Sequence, residues 1–404
     1  MVEWVDTPFR EIVHIETGNL DSNQAVESGQ YPFFTCSPET LRIDTYAFDT
    51  EAVLLAGNNA NGIFPVKYYK GKFNAYQRTY VITPRDSQLL DCIYLYYQIQ
   101  LLTHQLREFS IGTATRFLTR GILDDLLIPL PPLLTQHAIA RILGTLDDKI
   151  ELNRQMNATL EAMARAIFQS WFVDFDPVRA KAEGRQPAGM DAATAALFPS
   201  EFEEVDGREV PRGWGVETLD EIAENIRRPI NPDQVDPDTP YIGLEHMPQR
   251  SIALCEWGSA STVESGKFAF RKNEFLFGKL RPYFHKVGIA PVDGVCSTDI
   301  LIINPKNDSW ASYVMCCISS NEFVEFANQG SDGTKMPRSS WSAMKKYQIV
   351  IPSKDIIVRF NSSILPLFEN INANIHESRT LAQIRDALLP KLMSGEIRID
   401  NNLF

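Results

Sequence analysis

A chain of 404 residues is longer than one ordinary hydrophobic core organises, so two or more domains are expected. With 44% apolar and 22% charged residues it has the make-up of a soluble globular protein. A net charge of −12 argues at first against a nucleic-acid partner, although net charge does not say where charge sits. No apolar run approaches the roughly 18 residues of a membrane span, and MVEWVDTPFREIV lacks the basic and apolar regions of a signal peptide. The cysteines at 36, 92, 255, 296, 316 and 317 form no CxxC spacing, which suits buried thiols in a reducing cytoplasm. The histidines are dispersed, and metal chemistry has no support.

The first half opens with short strands and turns. VLLAGNNANGIF is an apolar strand run followed by a Gly/Asn turn cluster that tolerates positive φ. Residues 65–78 (PVKYYKGKFNAYQR) carry four cations and no acid, either a basic surface or a solvated strand face. RTYVITP reads as a strand closed by proline, and DCIYLYYQIQLLTHQLREF as a helix. A proline step, IPLPPL, then leads into a long helix. Leu143, Leu146, Ile150, Asn153, Asn157, Leu160, Ala164, Ile167 and Trp171 are spaced alternately by three and four, a heptad seam that predicts a coiled coil. After it, WFVDFDP is too apolar for a solvated tether, so Trp171, Phe172 and Phe175 are expected to dock. A Pro/Gly break, a short Ala-rich helix and an acidic stretch complete a central segment.

The second half repeats the first. A shift of 221 positions lays Gly112-Thr113 on Gly333-Thr334, Pro131 on Pro352, Asn153 on Asn374 and Leu160 on Leu381. The same shift matches Leu55 with Leu276, Gly57 with Gly278, Ile82 with Ile303 and Pro84 with Pro305. Upstream, a shift of 210 matches Trp4 with Trp214, Glu11-Ile12 with Glu221-Ile222 and Tyr31 with Tyr241. A net insertion between residues 34 and 52 reconciles the two offsets. The repeated seam is Ile364, Leu367, Ile371, Asn374, Ser378, Leu381, Arg385, Leu388 and Leu392. Arg385 weakens it, and Pro366 predicts a later or kinked helix start. Two seams in matching register favour helices that pair, antiparallel, with Asn153 and Asn374 meeting near the middle. The alternative is that each helix packs on its own domain.

Catalytic motifs are missing. The sequence contains no G-x-x-x-x-G-K-[ST], no G-x-G-x-x-G after a strand, no H-E-x-x-H and no G-x-S-x-G. Asn231-Pro232-Asp233 and Asn304-Pro305-Lys306 do not complete the Asn/Asp-Pro-Pro-aromatic motif of amino-methyltransferases.

The stretch IPLPPLLTQHAIARILGTLDDKIELNRQMNATLEAMARAIFQSWFVDFDPVRAKAEG, at 128–184, resembles the central conserved region of type I restriction–modification specificity subunits, and ALLPKLMSGEIRI, at 387–399, resembles their common ending. YPFFTCSPE, KGKFNAYQRTYVITP and FGKLRPYFHKV resemble stretches of their target-recognition domains. The resemblance implies an α+β fold with two pseudo-repeated recognition domains separated by two long antiparallel coiled-coil helices. On that basis the chain divides into recognition domain 1 (1–132), spacer helix 1 (133–175), a central linker and docking segment (176–210), recognition domain 2 (211–352) and spacer helix 2 with a tail (353–404).

It further implies a non-catalytic, DNA-reading subunit of a cytoplasmic hetero-oligomer, which reads a split target and docks two methyltransferase subunits and restriction subunits. This chain is expected to bind no cofactor, with S-adenosylmethionine, ATP and Mg on those partners. The aromatics Trp171, Phe172 and Phe175 become partner-docking candidates.

Base reading needs donors and acceptors at base edges. The candidates in the first half are Asn58, Asn59, Tyr76, Gln77 and Arg78, with Lys67, Lys70 and Lys72 on phosphates. In the second they are Lys279, Arg281, Tyr283 and His285, with Ser297, Thr298 and Asp299. Thr113, Thr115 and Arg116, and Lys335 and Arg338, precede the proline steps. Two other readings stay open: a self-sufficient restriction or modification enzyme, and a coiled-coil scaffold that does not read DNA.

Overall fold

A computed structural model describes residues 4–399 apart from 61, 113, 114, 263 and 334. The chain forms two compact units, one running to Lys149 and resuming at Leu381, the other spanning Ile150–Thr380. Both boundaries fall inside long helices, Leu133–Phe172 and Lys354–Met393, and not at helix ends.

The first unit is built on a six-stranded sheet in the order Val13–Thr17, Thr79–Pro84, Phe48–Ala56, Val66–Ala75, Tyr31–Phe34, Leu41–Ile43. All neighbours are antiparallel except Tyr31–Phe34 on Val66–Ala75. The run AVLLA is apolar without alternation because both faces of its strand are covered. Val53 and Leu55 pack under the helix Cys92–Phe109 with Tyr94, Leu95 and Ile99. Ala52 and Leu54 face a second cluster with Phe34, Phe73 and Val81. Asp91 caps that helix, its carboxylate accepting the Tyr94 N–H at 2.7 Å. The α+β expectation holds.

In the second unit, Ala223–Ile226, Ile300–Pro305, Phe275–Gly278 and Val287–Ile289 form a four-stranded antiparallel sheet. This repeats the order of the first four strands of the first unit. The repetition reaches individual hydrogen bonds. Phe9 N–H donates to Leu126 O, and Leu219 N–H to Tyr347 O, both at 2.8 Å. Arg85 N–H donates to Ile12 O, and Lys306 N–H to Ile222 O, again both at 2.8 Å. A separate five-stranded sheet contains Pro229–Ile230, Lys267–Phe270, Gly294–Cys296, Pro240–Ile242 and Gly258–Ser259. The sequence WASYVMCCISSNEFVEFAN forms two helices instead of one, Ala311–Ile318 and Asn321–Gln329. Ser320 caps the second by accepting the Phe323 N–H at 3.1 Å.

Each long helix has 40 residues, about 60 Å at 1.5 Å per residue. Pro366 does not delay the second helix, which begins at Lys354. The proline is exposed, while Ile356, Ile357, Phe360 and Ile364 are buried and hold the preceding turns. Within the second unit the helices are antiparallel. Asn153 Nδ2 donates to Glu377 Oε2 at 2.8 Å and Ser378 Oγ at 3.2 Å, and Asn374 Nδ2 to Asn157 Oδ1 at 2.9 Å. Each asparagine thus bonds a residue one turn along from the other asparagine, which corrects the expectation that the two meet. Leu143, Asn153, Ile364 and Ile371 are buried; Leu146, Ile150, Leu160, Ile167, Leu367, Asn374, Leu381 and Leu388 are half-buried. Arg385, an awkward seam residue by sequence, donates to Asp147 at 2.6 Å within the first unit, where Tyr97 Oη also donates to Asp147 at 2.7 Å.

Trp171, Phe172 and Phe175 do not form a partner-docking face. All three are buried in the core of the second unit with Phe198, Trp214, Tyr313 and Phe360. Their apolar surface is already covered by the chain itself.

Glu161, two turns past Asn153, is also buried. One of its oxygens accepts from the Ser251 hydroxyl at 2.7 Å and the Ala253 N–H at 3.2 Å. Burial pushes this carboxyl above its ordinary 4.5, against the lowering effect of those bonds. The folded state therefore holds the proton to higher pH than the unfolded chain, and stability falls as pH rises from 4.5 through the raised value. Glu161→Gln should unfold at a higher temperature than wild type at neutral pH. That advantage should vanish below about pH 4; thermal melts at the two pH values check it.

Candidate nucleic-acid interface

In the first unit the chain leaves Phe48–Ala56 at Gly57 and pairs Asn58–Asn59 antiparallel with Arg116–Phe117. Gly57 N–H donates to Arg78 O at 2.8 Å, and Leu118 N–H to Gly57 O at 2.8 Å. Three stretches remote in sequence, around 58, 78 and 116, are thereby laced together through one glycine. A Cβ on Gly57 would stand 2.5 Å from the Arg78 carbonyl oxygen, so the position demands glycine.

A corresponding frame recurs in the second unit, slipped by one residue, with Lys279 making the bonds that Gly57 makes although Gly57 matches Gly278 under the shift of 221. Lys279 N–H donates to Asp299 O at 2.9 Å, Ser339 N–H to Lys279 O at 2.9 Å, and Arg281 N–H to Pro337 O at 2.8 Å. Phe117 exchanges both backbone bonds with Ile111 at 2.8 and 3.1 Å, as Arg338 does with Asp332 at 2.9 and 3.0 Å. The candidates Asn58, Asn59, Arg78 and Arg116 are thus brought together in one unit, and Lys279, Arg281, Asp299 and Arg338 in the other. Phe117 was overlooked; the signal for it was its match to Arg338 under the shift of 221.

Side chains divide into free and engaged. The Arg78 guanidinium lies 5.4 Å from the centre of the Phe117 ring. Arg338 Nε donates to Asp299 Oδ1 at 3.2 Å, with the arginine side chain 53% exposed. Arg116 Nη1 donates to Arg107 O at 3.2 Å and Ser110 O at 3.5 Å, which fixes it against a helix C-terminus. Gln77 Nε2 donates to Asp21 at 2.6 Å. Tyr76 and Thr115 are half-buried, whereas Thr298, Lys335 and Tyr283 are exposed. Ser297 Oγ accepts the Asp299 N–H at 3.2 Å. Thr113 lies outside the described residues.

Two candidates are corrected. Lys67 Nζ donates to Ser37 O at 3.1 Å, Glu39 O at 2.8 Å and Thr40 Oγ1 at 3.2 Å, and burial lowers its pKa to about 8. Its donors are occupied, and it lies on the opposite strand face from Lys70 and Lys72. Lys70 pairs with Glu51 at 3.1 Å; Lys72 stays exposed, 4.5 Å from the Tyr46 ring centre. His285 is buried, its Nε2 2.8 Å from Ser319 O, and burial lowers its pKa. It holds a loop from inside its own unit.

Among the described residues, no group of three or more His, Cys, Asp or Glu is placed to hold a metal ion, and no helix is long and apolar enough to cross a membrane. Each of the two units thus carries a polar, cation-bearing loop frame. The family model described as the type I restriction modification DNA specificity domain matches residues 1–162. The Escherichia coli type I restriction enzyme EcoDI specificity subunit is 28% identical, over 98% of this chain and 89% of that one. The Haemophilus influenzae HindI specificity subunit is 30% identical, over 69% of this chain and 71% of that one. The type I restriction–modification S subunit of M. genitalium shares the fold, with a TM-score of 0.58, 16% identity and 96% of each chain covered. The chain belongs to the family of type I restriction enzyme specificity subunits.

Proposed function

We propose that this chain reads a split DNA target, each unit reading one half through its laced loop frame. The observation that carries this reading is the repeat of the frame: corresponding backbone bonds, one residue later at Lys279 than at Gly57, hold different side chains in the two units. That is the arrangement needed to read two different base sequences with one scaffold. As a specificity subunit the chain is not itself an enzyme. The long helices set the gap between the two half-targets, and two methyltransferase subunits dock on the repeated surfaces. S-adenosylmethionine, ATP and Mg sit on those partners and on the restriction subunits, and the assembly works in the cytoplasm.

Methylome mapping of cells carrying this chain with its methyltransferase tests the reading. A bipartite adenine motif is expected, lost when the chain is deleted. Methylation without sequence preference would leave a scaffold. Purified chain incubated alone with S-adenosylmethionine and DNA should transfer no methyl group; transfer would make it an enzyme and overturn the proposal.

A further inference from the structure

We infer that each unit presents one braced arginine, Arg78 in the first and Arg338 in the second, that reads a guanine in its half of the target. This rests on the DNA-reading function proposed above and names its specificity-determining residues. Positions 78 and 117 of the first unit match 299 and 338 of the second under the shift of 221. In both units these two positions face each other across the same backbone frame, but their chemistry is exchanged. The first unit puts arginine at the first position and a phenylalanine ring at the second, with the guanidinium carbon 5.4 Å from the ring centre. The second unit puts aspartate at the first position and arginine at the second, joined at 3.2 Å. Either way, the frame ends in one restrained and exposed guanidinium.

Restraint without occupation is what base reading requires. Arg338 uses Nε on Asp299, and among the described residues Nη1 and Nη2 make no hydrogen bond. Those two nitrogens are a donor pair suited to one base edge. The Arg78 guanidinium makes no hydrogen bond among the described residues. Guanine offers O6 and N7 side by side in the major groove, the pair of acceptors that an arginine fork matches. Bracing removes rotamer freedom before binding, so less is lost on contact. Neighbouring cations lack this combination. Arg116 is only half-exposed with Nη1 tied to the Arg107 and Ser110 oxygens, Lys67 is tied to three oxygens, and Arg281 is only half-exposed with its Nε buried.

The test maps methylated sites on a randomised DNA library using the complex reconstituted with its methyltransferase subunits. Wild type should give a motif with a required guanine in each half. Arg78→Ala should make one guanine position in one half indifferent and leave the other half unchanged, and Arg338→Ala should do the reverse. Discrimination at the affected position should fall by roughly tenfold to a hundredfold. Arg78→Gln and Arg338→Gln, which keep a long polar side chain in the frame, should move the preference from guanine toward adenine. Asp299→Asn and Phe117→Ala act on positioning, and should weaken discrimination at the same base without changing its identity. Arginine variants that keep the wild-type motif, or that lose binding uniformly across all sequences as a phosphate contact would, overturn the inference. A wild-type complex without any motif would instead overturn the DNA-reading function.

Discussion

Replacing Phe172 by alanine should destabilise the second unit by about 3–5 kcal/mol, the usual cost of emptying an aromatic core site. Phe172 is 3% exposed, and its ring centre lies 4.9 Å from Tyr313, 4.9 Å from Phe360 and 6.0 Å from Trp214. These are tilted or edge-on contacts that no single neighbour can reclaim by shifting, so the cavity would stay open. Urea unfolding of the full chain, followed by tryptophan fluorescence, measures the change. A residue kept for docking another subunit would behave differently. Its truncation would leave the isolated chain within about 0.5 kcal/mol of wild type and weaken assembly instead. The two outcomes separate the buried role seen in the structure from the docking role suggested by sequence.

Lengthening both long helices by one heptad should change which DNA the complex methylates. On the proposal that these helices set the gap between half-targets, seven residues after Ala158 and seven between Asn372 and Ala373 add about 10.5 Å to each. That is about three base pairs at 3.4 Å each, and the methylation motif should widen its central gap by that amount with both halves unaltered. Seven residues preserve the seam period, so the bonds of Asn153 with Glu377 and of Asn374 with Asn157 can re-form on their own sides of the insertions. The same insertion in the first helix alone would put those partners out of register, and the second unit should lose stability. An unchanged gap in the doubly lengthened protein would end the spacer idea.

The helical half of the architecture was legible because its signal is local and periodic. Leu143 to Trp171 repeat every three and four residues, and no long-range information is needed to see it. Strands such as Thr79–Pro84 and Ile300–Pro305 were legible through the repeat and its shared closing proline. The five-stranded sheet of the second unit was not. Its strands are two to four residues long, and some fall in the inserted stretch where the repeat offers no guide. Site residues were chosen by chemical type, which cannot reveal the face a side chain occupies. Lys67 and His285 were therefore misplaced, each pointing into its own unit. Phe117 was missed for the converse reason: a ring beside arginine acquires meaning only once the two are known to touch. The polar asparagines were recognised as seam residues, but their partners follow from helix register, which a shift of one turn alters.

One unit is discontinuous: Leu389, Leu392 and Met393 share a buried cluster with Phe9, Tyr94 and Leu143. During synthesis the ribosome delivers those late residues after the whole of Ile150–Thr380, roughly 10–50 s later at ordinary elongation rates. The unit that emerges second is the first able to close its core, while the earlier one waits with part of its core missing. A stop codon near Leu381 would spare the later-made unit and leave the earlier one unfinished. The half that is begun first is completed last.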